Sequence, residues 1–125
     1  MIILTAEEIL RLHRKLIDKT GGLDGVRDAG LLESSVMSCM QTFDDQELYP
    51  DIIDKAAWIT FSICKNHPFI DGNKRTAVLC MLTILRINKI EISYTQKELI
   101  SFGLRVAEGS MGYEQIIEWI RRHKI

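Results

Sequence analysis

The stretch HPFIDGNKRTA, residues 67–77, decides how this chain folds and where its chemistry lies. Pro68 has no backbone N–H and pushes the preceding residue out of the α region, so a turn must separate two helices at this point. After the turn, residues 71–73 are of types that cap helices, and residues 76–85 are apolar or small. The segment therefore predicts a helix whose N-terminus is exposed and whose body is buried.

Helical periodicity on both sides of this stretch predicts an all-α bundle of about six helices. Two helices begin with the pattern of a capping box, Thr5-x-x-Glu8 and Thr95-x-x-Glu98. The predicted helices are Thr5–Lys19, Asp28 to about Asp44, Pro50–Asn66, Gly72–Ile87, Thr95–Ala107 and Tyr113–His123. Residues 90–94 alternate in polarity and predict a short strand or an extended turn. The helix 72–87 is apolar around most of its circumference, which predicts a central position in the bundle.

The composition favours one domain spanning residues 1–125. Of the 125 residues, 46% are hydrophobic, which is enough for one core in a chain too short for two ordinary domains. The formal net charge of -1 provides no basic field for non-specific nucleic-acid binding. No apolar stretch approaches the roughly 20 residues that span a bilayer, and the start lacks the pattern of a signal peptide. We therefore expect a cytoplasmic protein with no membrane partner and no specific nucleic-acid partner.

The three cysteines, Cys39, Cys64 and Cys80, predict free thiols packed in the core. Their number is odd, and no pair has the C-x-x-C spacing of a metal or redox site. All three lie among aliphatic residues on predicted helices, where a free cysteine behaves as a small hydrophobic side chain.

The residues at the predicted helix start have the chemistry of a phosphate-binding site. Gly72 lets a ligand approach the unpaired N–H groups of the helix N-terminus, which attract anions. Asn73 can donate a hydrogen bond to a phosphate oxygen while it caps the helix. Lys74 and Arg75 can neutralise the charge of a phosphoryl transition state. These two cations oppose the helix dipole, so a bound anion would offset an unfavourable arrangement.

Asp71 and His67 complete the candidate chemistry. Magnesium prefers one or two carboxylates together with phosphate oxygens and water, so Asp71 is the candidate metal ligand. His67, on the other side of the turn, could accept the proton of an attacking hydroxyl as a general base. Each residue also has an ordinary interpretation: an exposed turn histidine, an N-cap aspartate, and a solvated first turn for Lys74 and Arg75. Phe69 carries no reactive group and is interpreted as an apolar anchor of the turn.

The other histidines and the tryptophans predict structural roles. His13 lies on the charged face of the first predicted helix, and His123 lies in the last turn of the last one, so both are interpreted as structural or solvated. Trp58 and Trp119 have no interleaved basic residues, which favours core or partner contacts over base stacking.

Residues 67–75 resemble the signature of the Fic/Doc family, H-x-F-x-(D/E)-G-N-G-R-x-x-R. The matching positions are His67, Phe69, Asp71, Gly72, Asn73 and Arg75. The wider stretch 49–77 is similar to the Doc (death-on-curing) branch. Adenylyl-transferring Fic proteins have a glycine and a final arginine where this chain has Lys74 and Val78, and both differences are Doc-like.

The resemblance implies a toxin of a toxin–antitoxin system that uses ATP and Mg²⁺. Such a protein transfers the γ-phosphate of ATP to a protein hydroxyl, with elongation factor Tu as substrate, and arrests translation. By the same resemblance His67 is the base and Asp71 is the Mg²⁺ ligand. The resemblance also implies that the phosphate groups are bound by Gly72, Asn73, Lys74 and Arg75. Phe69 is a further residue of the ATP site. The residues alone agree with phosphoryl transfer but leave adenylyl transfer open.

Two further segments bear on the partners of the protein. The glycine-rich stretch Gly21–Asp28 resembles the family's flap, which holds a target segment extended by β-augmentation, and an ordinary interhelical turn is the alternative. No self-inhibiting helix of pattern (S/T)-x-x-x-E-(G/N) is found, since the nearest match, Ser110–Gln115, ends in the wrong residue. The resemblance therefore implies a separate antitoxin.

Three other functions remain open from the sequence. One is a Fic-type AMP transferase, and another is a catalytically silent binding module that keeps the fold. The third is nucleic-acid binding or cleavage, which has only the pairs Lys74–Arg75 and Arg121–Arg122 to support it.

Overall fold

The computed structural model describes residues 1–125 and has an all-α fold. Its helices are α1 (Ala6–Thr20), α2 (Ala29–Met37), α3 (Ile52–Asn66), α4 (Asn73–Ile87), α5 (Gln96–Ala107) and α6 (Tyr113–His123). A 3₁₀ turn, Ser38–Met40, follows α2 and leads into a hairpin of β1 (Thr42–Phe43) and β2 (Gln46–Glu47). The prediction of about six helices is confirmed. No helix is both long and apolar enough to cross a bilayer.

Side-chain caps fix where the helices begin. The capping boxes predicted at Thr5 and Thr95 are both present. A third, which was not predicted, precedes α3, where the Asp51 carboxylate accepts a hydrogen bond from the Asp54 N–H at 2.9 Å. Pro50 therefore lies outside the helix, and its predicted place in the first helical turn was wrong. The aspartate satisfies an amide that would otherwise be unpaired, so the helix begins after it.

The second helix ends earlier than predicted. It stops at Met37, and the chain then turns back through the hairpin, in which Thr42 lies opposite Glu47. Asp44 and Asp45, at the tip, have φ angles of 54° and 62°. Aspartate tolerates this left-handed conformation better than most residues, and the two-residue turn needs it at both positions. The prediction of helix as far as Asp44 was therefore wrong.

Helices α3 and α4 share the centre of the core. Helix α3 packs against α2, α4, α5 and α6, and α4 packs against α1, α3 and α5. Ile59 and Ile63 of α3 and Met81 and Ile84 of α4 are fully buried. The predicted central position of α4 is confirmed, although α3 has as large a share in the core.

The cysteines are free, as predicted. Cys39 and Cys80 are buried and Cys64 is partly buried. Burial raises the pKa of Cys64 to about 11 and that of Cys80 to about 12. Because the thiolate is the reactive form, both are inert packing groups at neutral pH.

The C-terminal part of the chain is held by His123 and an extended segment. Ile92 and Lys124 form an isolated antiparallel bridge, which agrees with the extended turn predicted at residues 90–94. His123 contacts the Trp119 carbonyl oxygen through Nδ1 and the Glu98 carboxylate through Nε2, both at 2.7 Å. The structural role predicted for His123 is thereby confirmed.

A buried lysine ties the hairpin to α3. The Lys55 side chain is almost fully enclosed, and its Nζ donates to the carbonyl oxygens of Cys39 and Tyr49 and to Oε1 of Glu47. Taking an ammonium group out of water costs several kcal/mol unless all its donors find acceptors. All three N–H groups find one here, so the hairpin position depends on this side chain.

We expect Lys55→Met to lower the free energy of unfolding by about 2 to 4 kcal/mol, because two buried carbonyl groups lose their donor. Glu47→Gln is the matched control. It keeps an acceptor oxygen at a half-exposed position and should cost less than about 1 kcal/mol. Urea denaturation followed by tryptophan fluorescence measures both. Equal effects of the two substitutions would contradict the role assigned to the ammonium group.

Candidate active site

The turn between α3 and α4 gathers the predicted site residues around one cleft. Helix α3 ends at Asn66 and is followed by the C-cap His67, whose φ and ψ of 49° and 59° lie in the left-handed region. Gly72, with φ 78°, precedes α4. The cleft has a volume of about 390 Å³ and is lined by His67, Ile70, Asp71, Gly72, Asn73, Lys74 and Arg75. Phe69 lies beneath it with 1% of its surface exposed, as the predicted apolar anchor. Six of the seven predicted site residues therefore face one opening.

Two backbone amides hold the Asp71 carboxylate. Oδ2 accepts a hydrogen bond from the Leu23 N–H at 3.0 Å, and Oδ1 accepts one from the Gly72 N–H at 2.9 Å. These hydrogen bonds lower the pKa of Asp71, and the Arg75 guanidinium, 3.8 Å from Oδ2, acts in the same direction. Asp71 thus stays ionised and 44% exposed, which suits a hard cation such as Mg²⁺.

No cluster of three or more His, Cys, Asp or Glu side chains that could hold a metal ion occurs in the structure. A cation at Asp71 would therefore need phosphate oxygens and water to complete its coordination. This is the usual way in which proteins bind Mg²⁺ beside a nucleotide.

The Asn73 side chain fastens the turn. Its Oδ1 accepts a hydrogen bond from the Phe69 N–H, and its Nδ2 donates one to the Phe69 carbonyl oxygen, both at 2.9 Å. The prediction that Asn73 caps the helix was wrong, since Gly72 is the N-cap and Asn73 is the first helical residue. One N–H of its amide group remains free for a ligand, because a carboxamide has two.

Lys74 and Arg75 leave the start of α4 in different directions. Nη1 of Arg75 donates to the Thr20 hydroxyl at 2.7 Å and to the Gly21 carbonyl oxygen at 3.0 Å, so this cation is tied to the end of α1. The stem of Lys74 runs beside Gly103 of α5. The two cations therefore contact different neighbouring elements, Lys74 contacting α5 and Arg75 the end of α1.

An apolar groove of about 430 Å³ adjoins the cleft at Lys74 and Arg75, between α1, α4 and α5. Val78 lies in this groove. Val78 stands where the Fic pattern has its final arginine. It therefore adds apolar surface to the groove and does not add a third cation to the site.

The glycine-rich loop, residues 21–28, is paired with the turn. Val26 forms an antiparallel bridge with Phe69, and the Ile70 N–H donates to the Gly25 carbonyl oxygen at 3.1 Å. Gly22 is in close contact with the site, since a Cβ at this position would lie 2.6 Å from Oδ2 of Asp71. The loop is thus a wall of the site.

Arg27 caps the end of α3, a role that no pattern in the sequence predicted. Its Nε donates to the His67 carbonyl oxygen and its Nη2 to that of Asn66, both at 2.6 Å. Carbonyl groups at a helix C-terminus lack intrahelical partners, and a cation there is favoured by the dipole. Because these contacts join residues about 40 positions apart, no local pattern could reveal them.

His13 lies beneath the turn and is fully buried. Its ring stacks on Phe69 with centroids 3.8 Å apart, and its Nε2 lies 2.7 Å from the Asp71 carbonyl oxygen. Of the two interpretations given to His13, the solvated one was wrong and the structural one is confirmed. His13 lies four residues from each of the buried residues Ile9 and Ile17, and this spacing indicates the buried face of α1. The charged residues next to His13 in the sequence favoured the exposed face instead.

Comparison with known proteins agrees with this geometry. A model of the family described as Fic/DOC family matches residues 3–85, which contain the whole turn and the glycine-rich loop. The chain belongs to the Fic/DOC family. Helices α5 and α6 lie beyond the matched residues of this Fic/DOC chain.

Two curated Fic/DOC relatives support the Doc branch. The chain is 41% identical to Toxin Doc of Mycolicibacterium smegmatis over 73 residues, which are 58% of this chain and 56% of that protein. It is 29% identical to Protein kinase doc of Escherichia phage P1 over 119 residues, 95% of this chain and 93% of that one. The chain thus matches little more than half the length of the first relative and nearly all of the second.

We expect Arg27→Ala to lower the free energy of unfolding by about 1 to 3 kcal/mol, because two helix-end carbonyl groups lose a charged donor. It should also shift the backbone resonances of residues 66–68. Arg105→Ala is the matched control: it removes an arginine side chain at an exposed position on α5 and should leave the resonances of residues 66–68 unchanged. Two-dimensional NMR and urea denaturation measure both effects, and unchanged resonances in Arg27→Ala would contradict the assigned cap.

Proposed function

We propose that residues 1–125 act as one Doc-like toxin domain, a Mg-ATP-dependent protein kinase. It would transfer the γ-phosphate of ATP to a hydroxyl group of elongation factor Tu and so arrest translation. The observation that carries the proposal is Lys74, which lines the cleft beside Asp71 where the Fic pattern has a glycine. The relative named Protein kinase doc, aligned over 95% of the chain, supports the same activity.

The phosphate groups of ATP fit the charges of this cleft. The free N–H groups at the start of α4 and the cations Lys74 and Arg75 favour an anion. Asp71, kept ionised by its two amide donors, would hold Mg²⁺. When bound, Mg²⁺ neutralises phosphate oxygens and orients them for transfer.

His67 would act as the general base. Its side chain is exposed, faces the cleft and makes no hydrogen bond within the protein, so a ring nitrogen is free to accept a proton. In the proposed step the acceptor oxygen bonds to the γ-phosphorus, and the bond from that phosphorus to the β–γ bridging oxygen breaks. ADP leaves, and the hydroxyl proton passes to His67.

The acceptor segment would lie along the glycine-rich loop. One side of this loop is paired with the turn through Val26 and Phe69, while residues 21–24 are exposed. An extended peptide could add to such a segment through main-chain hydrogen bonds, which require no particular sequence in the acceptor. This would deliver a hydroxyl group to His67.

A toxin of this kind requires an inhibitor in the cell that makes it. The family's self-inhibiting pattern does not occur in these 125 residues. We propose a separate antitoxin as partner and the cytoplasm, where elongation factor Tu and ATP are found, as the site of action. The relative named Toxin Doc supports the toxin assignment.

The proposal is tested by incubating the protein with Mg²⁺, elongation factor Tu and ATP labelled at either the α- or the γ-phosphate. We expect label on elongation factor Tu only from the γ position, and none with His67→Ala. Label from the α position alone would identify a protein adenylyltransferase instead. Equal growth arrest by the wild type and His67→Ala would show that catalysis is irrelevant and that the chain is a binding module.

Lys74→Met tests the contribution of the cation in the cleft. Methionine keeps the apolar stem beside Gly103 and removes the charge. We expect kcat/KM for γ-phosphate transfer to fall about tenfold to a hundredfold, the effect of losing a hydrogen bond to a charged group. Lys97→Met, at an exposed position on α5, is the matched control and should leave the rate unchanged. An undiminished rate in Lys74→Met would remove the main support for the kinase assignment.

A further inference from the structure

His13 is a fully buried histidine for which the proposed chemistry has no use. Its Nε2 lies 2.7 Å from the carbonyl oxygen of Asp71. A carbonyl oxygen only accepts hydrogen bonds, so Nε2 must carry the proton and donate it. The ring therefore has a defined tautomer, which is set by the backbone of the site.

Two contacts join the His13 ring to the turn. One face stacks on Phe69 with an interplanar angle of 5°. The other ring nitrogen, Nδ1, is buried without a hydrogen-bond partner, and the nearest carboxylate oxygen, Oδ1 of Asp24, is 3.8 Å away. The stack and the Nε2 hydrogen bond thus both connect α1 to residues 69–71.

The hydrogen bond from His13 fixes the peptide unit between Asp71 and Gly72. In a trans peptide the C=O and N–H groups point in opposite directions. The Asp71 carbonyl group points inward to His13, so the Gly72 N–H points away from it, and there it donates to Oδ1 of Asp71 at 2.9 Å. The inward hydrogen bond therefore determines the outward direction of the Gly72 amide, which is one of the two amides that hold the carboxylate.

Gly72 does not fix this direction by itself. With no Cβ, glycine populates positive and negative φ about equally, so the peptide could rotate at small cost if nothing held its carbonyl group. The observed φ of Gly72 is 78°. Contacts from outside the turn favour one orientation: His13 binds the carbonyl oxygen of this peptide, and the Leu23 amide binds the Asp71 carboxylate.

We propose that His13 is a positioning residue of the active site: its Nε2–H holds the Asp71 carbonyl group inward and thereby directs the Gly72 amide and the Asp71 carboxylate toward the cleft. His13 itself touches no reacting group. Its effect on phosphate transfer rests on the proposed function, whereas its effect on the Gly72 amide does not.

Two substitutions separate the hydrogen bond from the packing. His13→Phe keeps an aromatic ring on Phe69 and removes the donor. His13→Gln removes the ring and places an amide nitrogen the same number of bonds from Cα as Nε2. His123→Phe is the matched control, because His123 also contacts a backbone carbonyl group and stacks on an aromatic ring, but on α6.

We expect the Gly72 amide resonance to shift and its hydrogen exchange to accelerate in His13→Phe, with wild-type behaviour restored in His13→Gln. The affinity for Mg-ATP should fall about tenfold in His13→Phe, as expected for one lost buried hydrogen bond, and recover in His13→Gln. In His123→Phe both readouts should match the wild type.

A wild-type Gly72 resonance in folded His13→Phe would overturn the proposal. So would equal losses in both His13 variants, which would indicate a role in packing only. Nitrogen NMR of the wild-type imidazole tests the same point without any substitution, since a proton found on Nδ1 instead of Nε2 excludes the hydrogen bond. If the wild type transfers no phosphate, the proposed function fails, and the Gly72 measurement still decides the role of His13.

Discussion

The backbone of the turn at residues 66–71 has polar groups that the turn itself cannot pair, and the site depends on partners supplied from elsewhere. Unpaired backbone groups at the edge of a core cost as much as lost hydrogen bonds. The glycine-rich loop supplies most of these partners: the Arg27 side chain binds the carbonyl groups of Asn66 and His67, the Arg27 and Asp28 amides bind that of Pro68, and the Gly25 carbonyl group binds the Ile70 amide. From α4, the Asn73 side chain binds the N–H and C=O groups of Phe69. From α1, His13 binds the Asp71 carbonyl group. Three separate segments thus converge on one turn.

These contacts hold the turn at the edge of a well-packed pair of helices. The packing of α3 on α4 fixes the two ends of the turn, and Phe69, buried beneath it, fixes its middle. The polar side chains that line the cleft then project away from the core. An irregular segment held in this way can present side chains as firmly as a helix does, which is a requirement for binding a phosphate in one orientation.

The arrangement of charge follows from the same geometry. Lys74 and Arg75 lie at the positive end of α4, where cations are unfavourable in the absence of an anion. Part of that cost is offset by Asp71, whose carboxylate is 3.8 Å from the Arg75 guanidinium. The amides of Leu23 and Gly72 keep Asp71 ionised, so the site holds an anion and two cations side by side. A magnesium–phosphate group has the complementary pattern of charges.

The sequence by itself determined the helices, their caps at Thr5 and Thr95, the break at Pro68 and the residue types of the cleft. These depend on short-range rules of periodicity, capping and proline geometry, which act within a few residues. It did not determine the hairpin, because the left-handed turn at Asp44 competes with a helical pattern. Only the tertiary structure decided that Arg27 caps α3 and that His13 supports Asp71. Those contacts join residues 40 and 58 positions apart. They can form and stabilise the turn only after packing of the core has brought the segments together.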